Sequence, residues 1–293
     1  MTDAQRSDRP GLVSFVGAGP GDPELITVKG RKAIAEAALV LYTGSLLPPE
    51  VVACAAPGAI VRDSAPLTLA QCHALLRETA LAGKPVARVH TGDPSLYGCL
   101  QEQIRLLDAD GIPWRVIPGV TAACAVAAAA GLSLTMPEAC QSLIITRMAG
   151  ATPVPSGERL RDLAVHGATL AVYLSAARAE EMQHELLQSL PADTVILCGQ
   201  RIGWPDEKLV STRLDALAQC VRQHNLDRQT VFLILPGQRS GATPVSSRLY
   251  DARFSHGFRT AQSPALQMSP REKQPTEAAP KLHQNTGDSH EQT

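Results

Sequence analysis

Gly17, Gly19 and Gly21 follow the apolar run Val13-Ser14-Phe15-Val16, and Pro20 and Pro23 stand among them. Glycines so spaced accept positive φ and close backbone approach, while the prolines fix φ and hold the loop open. This suits ligand binding through main-chain groups, but not binding of a phosphate. A dinucleotide fingerprint runs Gly-x-Gly-x-x-Gly into a helix, whereas here the sixth position is Asp22 and no helix begins before about Leu25. A Walker loop ends in Gly-Lys-Ser/Thr, and Lys29 lies well past the last loop glycine. The Asp22 carboxylate would also repel a pyrophosphate.

A second loop, His90-Thr91-Gly92-Asp93-Pro94-Ser95, follows an apolar strand and opens a helical pattern. It therefore sits at the carboxyl end of its strand, where open α/β sheets take ligands. As an ordinary turn it would use Asp93 or Ser95 as the cap and Pro94 near the first helical position. Pro118-Gly119-Val120-Thr121 is a third strand-to-helix connection, with a hydroxyl at the helix start. Trp204-Pro205-Asp206-Glu207-Lys208 reads as the exposed tip of a hairpin.

Positioning these loops requires an α/β chain. Strands are expected at 12–16, 39–42, 59–61, 86–90 and 114–117, and in a second series at 143–146, 169–174, 194–198, 209–211 and 231–235. Helices are expected over 69–82, 95–110, 158–165, 178–190 and 213–223, with an alanine-rich, tightly packed helix within 120–136. The fold class is thus α/β, with two α/β domains and a ligand cleft between them. The first domain spans 11–118, the second, with its linker helix, 119–259, and a polar tail covers 260–293.

Composition narrows the function. With 27 Lys and Arg against 28 Asp and Glu, the 293-residue chain lacks the basic surplus of a general nucleic-acid binder. The polar N-terminus has no signal-peptide core, and the alanine stretch is shorter and less apolar than the ~20 residues a bilayer demands. The expected location is cytoplasmic, without membrane contact. Seven scattered cysteines form no Cys-x-x-Cys pair and the eight histidines no ligand spacing, so no metal site is expected.

Taken in order, 17–30, 88–98, 118–122, 146–155 and 204–208 carry a pattern that resembles the tetrapyrrole methylases, in particular their cobalamin-synthesis branch. The resemblance covers about 11–259. It implies C-methylation of a tetrapyrrole by S-adenosylmethionine, with S-adenosylhomocysteine as product, and a homodimer. By motif position it places the cofactor against Pro20, Thr91, Gly92, Asp93, Thr121 and Ala122, with further contacts at Leu174, Ile202 and Thr230. It makes Asp22 and Asp93 the loop carboxylates able to take a proton. Arg88, His90, Arg147 and Arg201 become the cations for the substrate's carboxylates. Alternatives are a sibling methylase, the same reaction on a cobalt-containing substrate, a nicotinamide-dependent oxidoreductase and a non-catalytic tetrapyrrole carrier.

Overall fold

The structure is a computed structural model and describes residues 9–238, 247, 249 and 251–261. It forms two compact units, Met1–Val245 and Ser246–Thr293. Residues 246–259 therefore belong to the smaller unit, and the expected tail beyond residue 261 lies outside the described residues. In the smaller unit Arg259 donates to the carbonyls of Leu249 and Asp251, and Arg253 pairs with Asp251 at 2.9 Å.

Ten strands make two five-stranded sheets in the larger unit. The first contains β1 (Val13–Gly17), β2 (Leu39–Tyr42), β3 (Ile60–Asp63), β4 (Val86–His90) and β5 (Trp114–Ile117) in the order β3-β2-β4-β1-β5. All of its pairings are parallel. Its central strands β1 and β4 are buried along their whole length, as a sheet covered on both faces demands, while edge strand β3 is largely exposed. Helix α1 (Val28–Ala35) covers one face through Ile34, against Val16, Val40, Ala87 and Val89. Helices α2 (Leu69–Leu81) and α3 (Leu100–Ala109) cover the other, with Leu76, Ile104 and Leu107 against Phe15 and Leu41.

The second sheet contains β6 (Leu143–Arg147), β7 (Thr169–Tyr173), β8 (Val195–Gln200), β9 (Lys208–Arg213) and β10 (Thr230–Leu235), ordered β6-β7-β10-β8-β9. Only β6 and β7 run parallel, so this sheet is mixed. Between the sheets in sequence lies α4 (Ala122–Ala129), which packs small side chains on Ala171, Leu197, Val231 and Leu233. A Cβ on Gly199 would collide with Val126, so glycine there lets α4 approach β8 closely. Helices α5 (Leu160–Ala164), α6 (Ala179–Leu187) and α7 (Leu217–Gln223) bury Leu160, Met182, Leu186 and Leu217 against Phe232 and Ile234 on the opposite face.

Local chemistry sets the start of two helices, α1 at its Thr27 cap and α2. Thr68 and Gln71 form a reciprocal capping box, Gln71 N donating to Thr68 Oγ1 and Thr68 N to Gln71 Oε1 at 2.8 Å, which starts α2 at Leu69. Several helices are shorter than their periodicity predicts, α5, α6 and α7 among them. Helix α3 begins at Leu100 rather than Ser95, because Tyr97 (φ 56°) and Cys99 (φ 48°) are left-handed and break the helical turn. Helix α4 ends at Ala129, ahead of Gly131 at φ 62°.

Candidate active site

Strands β4, β1 and β5 are neighbours in the parallel sheet, so the loops after them meet at its carboxyl edge. Main-chain contact joins them. Gly19 and Gly92 exchange two hydrogen bonds, Gly92 N donating to Gly19 O at 2.7 Å and Gly19 N to Gly92 O at 3.2 Å. A Cβ on Gly17 would stand 2.5 Å from Gly119 N, and one on Gly119 would run into Gly92 O. These glycines were expected to admit a ligand to the backbone. At Gly17 and Gly119 they admit the neighbouring loops instead, and the Gly19 and Gly92 amides are already committed to each other. A phosphate cradle of free amides is therefore not built here, in keeping with the poor match to both nucleotide fingerprints. Past the loop the chain makes only a single 3-10 turn, Pro23–Leu25, before α1 starts from its Thr27 cap.

Asp93 locks this arrangement. Its Oδ1 accepts from Ser95 N at 2.8 Å and Ser95 Oγ at 2.5 Å, and its Oδ2 accepts from Gly119 N at 3.0 Å. Burial pushes the carboxyl pKa up, but the bonds from Ser95 and Gly119 outweigh it and hold it below its usual value.

Facing the three loops are the ends of the second sheet: the residues after β7, the β8–β9 turn and the approach to β10. Together they enclose a cavity of about 600 Å³ lined by Pro20, Thr91, Gly92, Asp93, Thr121, Ala122, Leu174, Ile202 and Thr230, with Leu46, Tyr97, Tyr173, Arg201 and Gln229 among the other walls. That volume lies in the ~300–1,000 Å³ range of small-molecule sites. All nine residues expected to bind the cofactor thus share one cavity. Thr230 Oγ1 is buried there without a partner, an open polar group that a ligand can satisfy. Leu174, in contrast, is 71% exposed, an apolar side chain offered to the cavity.

Of the expected cations, only Arg201 lines this cavity. Arg88 is buried beneath the first sheet, where Nε donates to Gln103 Oε1 (3.1 Å) and Nη1 to Leu41 O (3.2 Å) and Ser64 Oγ (3.0 Å). His90 lies under the same face, 6.0 Å from the Phe15 ring. Burial, reinforced by the Arg88 charge and opposed by Asp93, lowers its pKa to about 3, so it is neutral at physiological pH. Arg147 spends its guanidinium on the carbonyls of Met148, Thr152 and Pro153, pinning the loop after β6. Asp22 is also outside the cavity and caps the 3-10 turn, accepting from Glu24 N at 2.8 Å.

Several wall residues carried no signal in their own segment. Tyr173, at the end of β7, accepts from Ala123 N at 2.8 Å and is hydrogen-bonded to Thr121 Oγ1 at 2.6 Å. It thereby caps α4, whose Thr121 makes no side-chain cap of its own. Tyr97 stacks obliquely on Tyr173, ring centroids 5.7 Å apart. Four of the left-handed non-glycine residues, Tyr97, Leu174, Arg201 and Gln229, line this one cavity. Such strain is kept where surrounding structure enforces it, commonly at functional sites. Trp204, expected at an exposed tip, is half-buried against Gly21. Among the described residues no group of three or more His, Cys, Asp or Glu side chains could hold a metal, and no helix is long and apolar enough to cross a membrane.

A parallel sheet and a mixed one, with a cavity at the strand ends, define a two-sheet α/β protein with a small-molecule site. Residues 12–218 match the tetrapyrrole (corrin/porphyrin) methylases, and the chain belongs to that family; it is a methyltransferase. It is 44% identical over 85% of its length to the precorrin-4 C(11)-methyltransferase of Pseudomonas aeruginosa, covering 99% of that protein. To the cobalt-precorrin-4 C(11)-methyltransferase of Priestia megaterium it is 41% identical over 84% of the chain and 96% of the relative. Among solved structures, a cobalt precorrin-4 methyltransferase aligns with TM-score 0.75 and 39% identity, over 77% of this chain and 95% of that one. A Thermus thermophilus uroporphyrin-III C-methyltransferase, solved with S-adenosylhomocysteine, aligns with TM-score 0.64 and 28% identity, over 78% and 93% of the two chains.

Proposed function

We propose that this methyltransferase moves a methyl group from S-adenosylmethionine to C11 of precorrin-4, giving precorrin-5 on the way to the corrin ring of cobalamin. The observation that carries this reading is the single cavity that collects all nine expected cofactor residues, in a chain 44% identical to a relative bearing that activity's name. The bound cofactor supplies a sulfonium-activated methyl group, open to displacement by a nucleophilic ring carbon.

The residues present suit that cofactor. Apolar walls at Leu174 and Ile202 and the unpartnered Thr230 hydroxyl offer the mixture an adenosyl group requires, and the Asp93 carboxylate in the same cavity would favour a cationic ligand. What the protein contributes to the rate is chiefly orientation, since a fixed approach of two reactants carries most of the advantage available. Asp93 ties the second loop to the third through Gly119 N, and Tyr173 fixes the start of α4 behind Thr121 and Ala122. We keep Asp22 and Asp93 as the two carboxylates to be tested for proton removal.

Residues 11–118 and 119–259 act as the two α/β domains in this account, and the protein works as a cytoplasmic homodimer. Sedimentation of the purified protein at monomer mass across a wide concentration range would remove the dimer. The functional test is incubation with S-adenosylmethionine and metal-free precorrin-4 or its cobalt complex. Methylation of the metal-free ring at C11 supports the reading, whereas methylation of the cobalt form alone moves the protein to the cobalt-dependent branch.

A further inference from the structure

We propose that Trp204 is a positioning residue that sets the cofactor cavity's width by strapping the β8–β9 turn to two loops of the first sheet. This rests on the methyltransferase reading of the cavity. Trp204 Nε1 donates to Pro20 O at 3.2 Å, across 184 positions of sequence. A Cβ on Gly21 would collide with the indole, and one on Gly203 would stand 2.7 Å from Asp22 N, so glycines on both loops make the contact sterically feasible.

The strap continues beyond the indole. The Arg201 guanidinium lies over the Trp204 ring, 3.8 Å from its centroid. Arg201 Nε donates to Asp206 at 2.8 Å and Nη1 to Gln229 Oε1 at 3.0 Å. Gln229 Nε2 then donates to Leu46 O, also at 3.0 Å. A continuous path therefore runs from Pro20, after β1, through Trp204, Arg201 and Gln229 to Leu46, after β2. Both anchor points and both middle residues line the cavity, while Trp204 stands behind them. Arg201 (φ 51°) and Gln229 (φ 59°) hold left-handed backbone to reach each other, with Arg201 N donating to Gln229 O at 3.0 Å. These contacts give Arg201 a bracing role in the cavity wall through Nε and Nη1.

The chain has two tryptophans, and Trp114 lies at the far end of β5 with its indole on Asp108, so Trp114→Phe leaves Trp204 as the sole indole reporter. In that full-length protein, titration with S-adenosylhomocysteine is expected to change the Trp204 emission saturably. By calorimetry, Trp204→Phe, which keeps an aromatic face and removes the donor, and Gln229→Leu each weaken S-adenosylhomocysteine binding about fivefold, the effect of one neutral hydrogen bond. Trp204→Leu, which also removes the stacking surface, weakens it further. KM for the methyl donor rises in step, while kcat and the tetrapyrrole KM stay within about twofold, the signature of lost cofactor binding alone. Unchanged affinity in all three variants, or an emission indifferent to bound ligand, overturns the strap. No binding of S-adenosylhomocysteine to the folded parent protein overturns the methyltransferase reading and the strap with it.

Discussion

Tyr173→Phe removes a single oxygen and tests whether the second sheet caps the helix that joins it to the first. In the native protein that oxygen accepts from Ala123 N at 2.8 Å and meets Thr121 Oγ1 at 2.6 Å. Ala123 is fully buried, so its amide cannot turn to water once the partner is gone. Loss of a helix N-cap costs about 0.5–2 kcal/mol, and an orphaned buried donor about 1–3 kcal/mol. The two descriptions overlap rather than add, which sets the expected loss at about 2 kcal/mol. In a unit of this size that corresponds to a melting temperature lower by about 4–8 °C. Thermal melts and urea titration of wild type and variant measure it, and the urea m-value should not change because the surface exposed on unfolding is the same. Because Thr121 and Ala122 line the cavity, the variant should also bind S-adenosylhomocysteine more weakly. A variant that melts with the wild type and binds equally well would refute the capping role.

Gly119→Ala places a Cβ against Gly92 O and 2.7 Å from Gly17 C, backbone atoms that cannot rotate away, so it should cost about 3 kcal/mol or more and abolish cofactor binding; a native melt would contradict the loop packing. His90 has a folded pKa of about 3 against 6.5 in the unfolded chain, so its contribution is fully present above pH 6.5 and lost as the pH falls towards 3. His90→Leu should therefore flatten the fall in stability between those values, and an unaltered pH profile would show that His90 is not its source. Asp93→Asn turns an acceptor facing Gly119 N into either a donor or a weaker acceptor, which should raise the donor KM about tenfold with a smaller effect on kcat. A kcat collapse at near-constant KM would instead make Asp93 the proton acceptor. Asp22→Asn should be close to silent, because asparagine caps a turn as well as aspartate does, unless Asp22 handles the proton.

The strands were legible because their signal is local: β-branched and apolar runs bounded by glycine and proline marked all ten, and β2, β4 and β5 to the residue. The cofactor loops were legible for a different reason, since motif order identifies a family even where each motif alone reads as a turn. What failed was whatever depends on distant chain. Trp204 looks exposed in its own pentapeptide, and the Pro20-Gly21 loop, far away in sequence, provides the surface it docks on. The start of α3 was misplaced because nothing in Tyr97 or Cys99 announces left-handed backbone. Strand period puts Arg88 and His90 on one face of β4 with Val86, and the fold decides what covers that face.

The most direct test of the account is the mass and methylation site of metal-free precorrin-4 after incubation with the purified protein and S-adenosylmethionine. Gain of one methyl at C11, with S-adenosylhomocysteine formed in equal amount, is the predicted result. An unmodified macrocycle in the presence of protein that binds S-adenosylhomocysteine would contradict the proposed substrate.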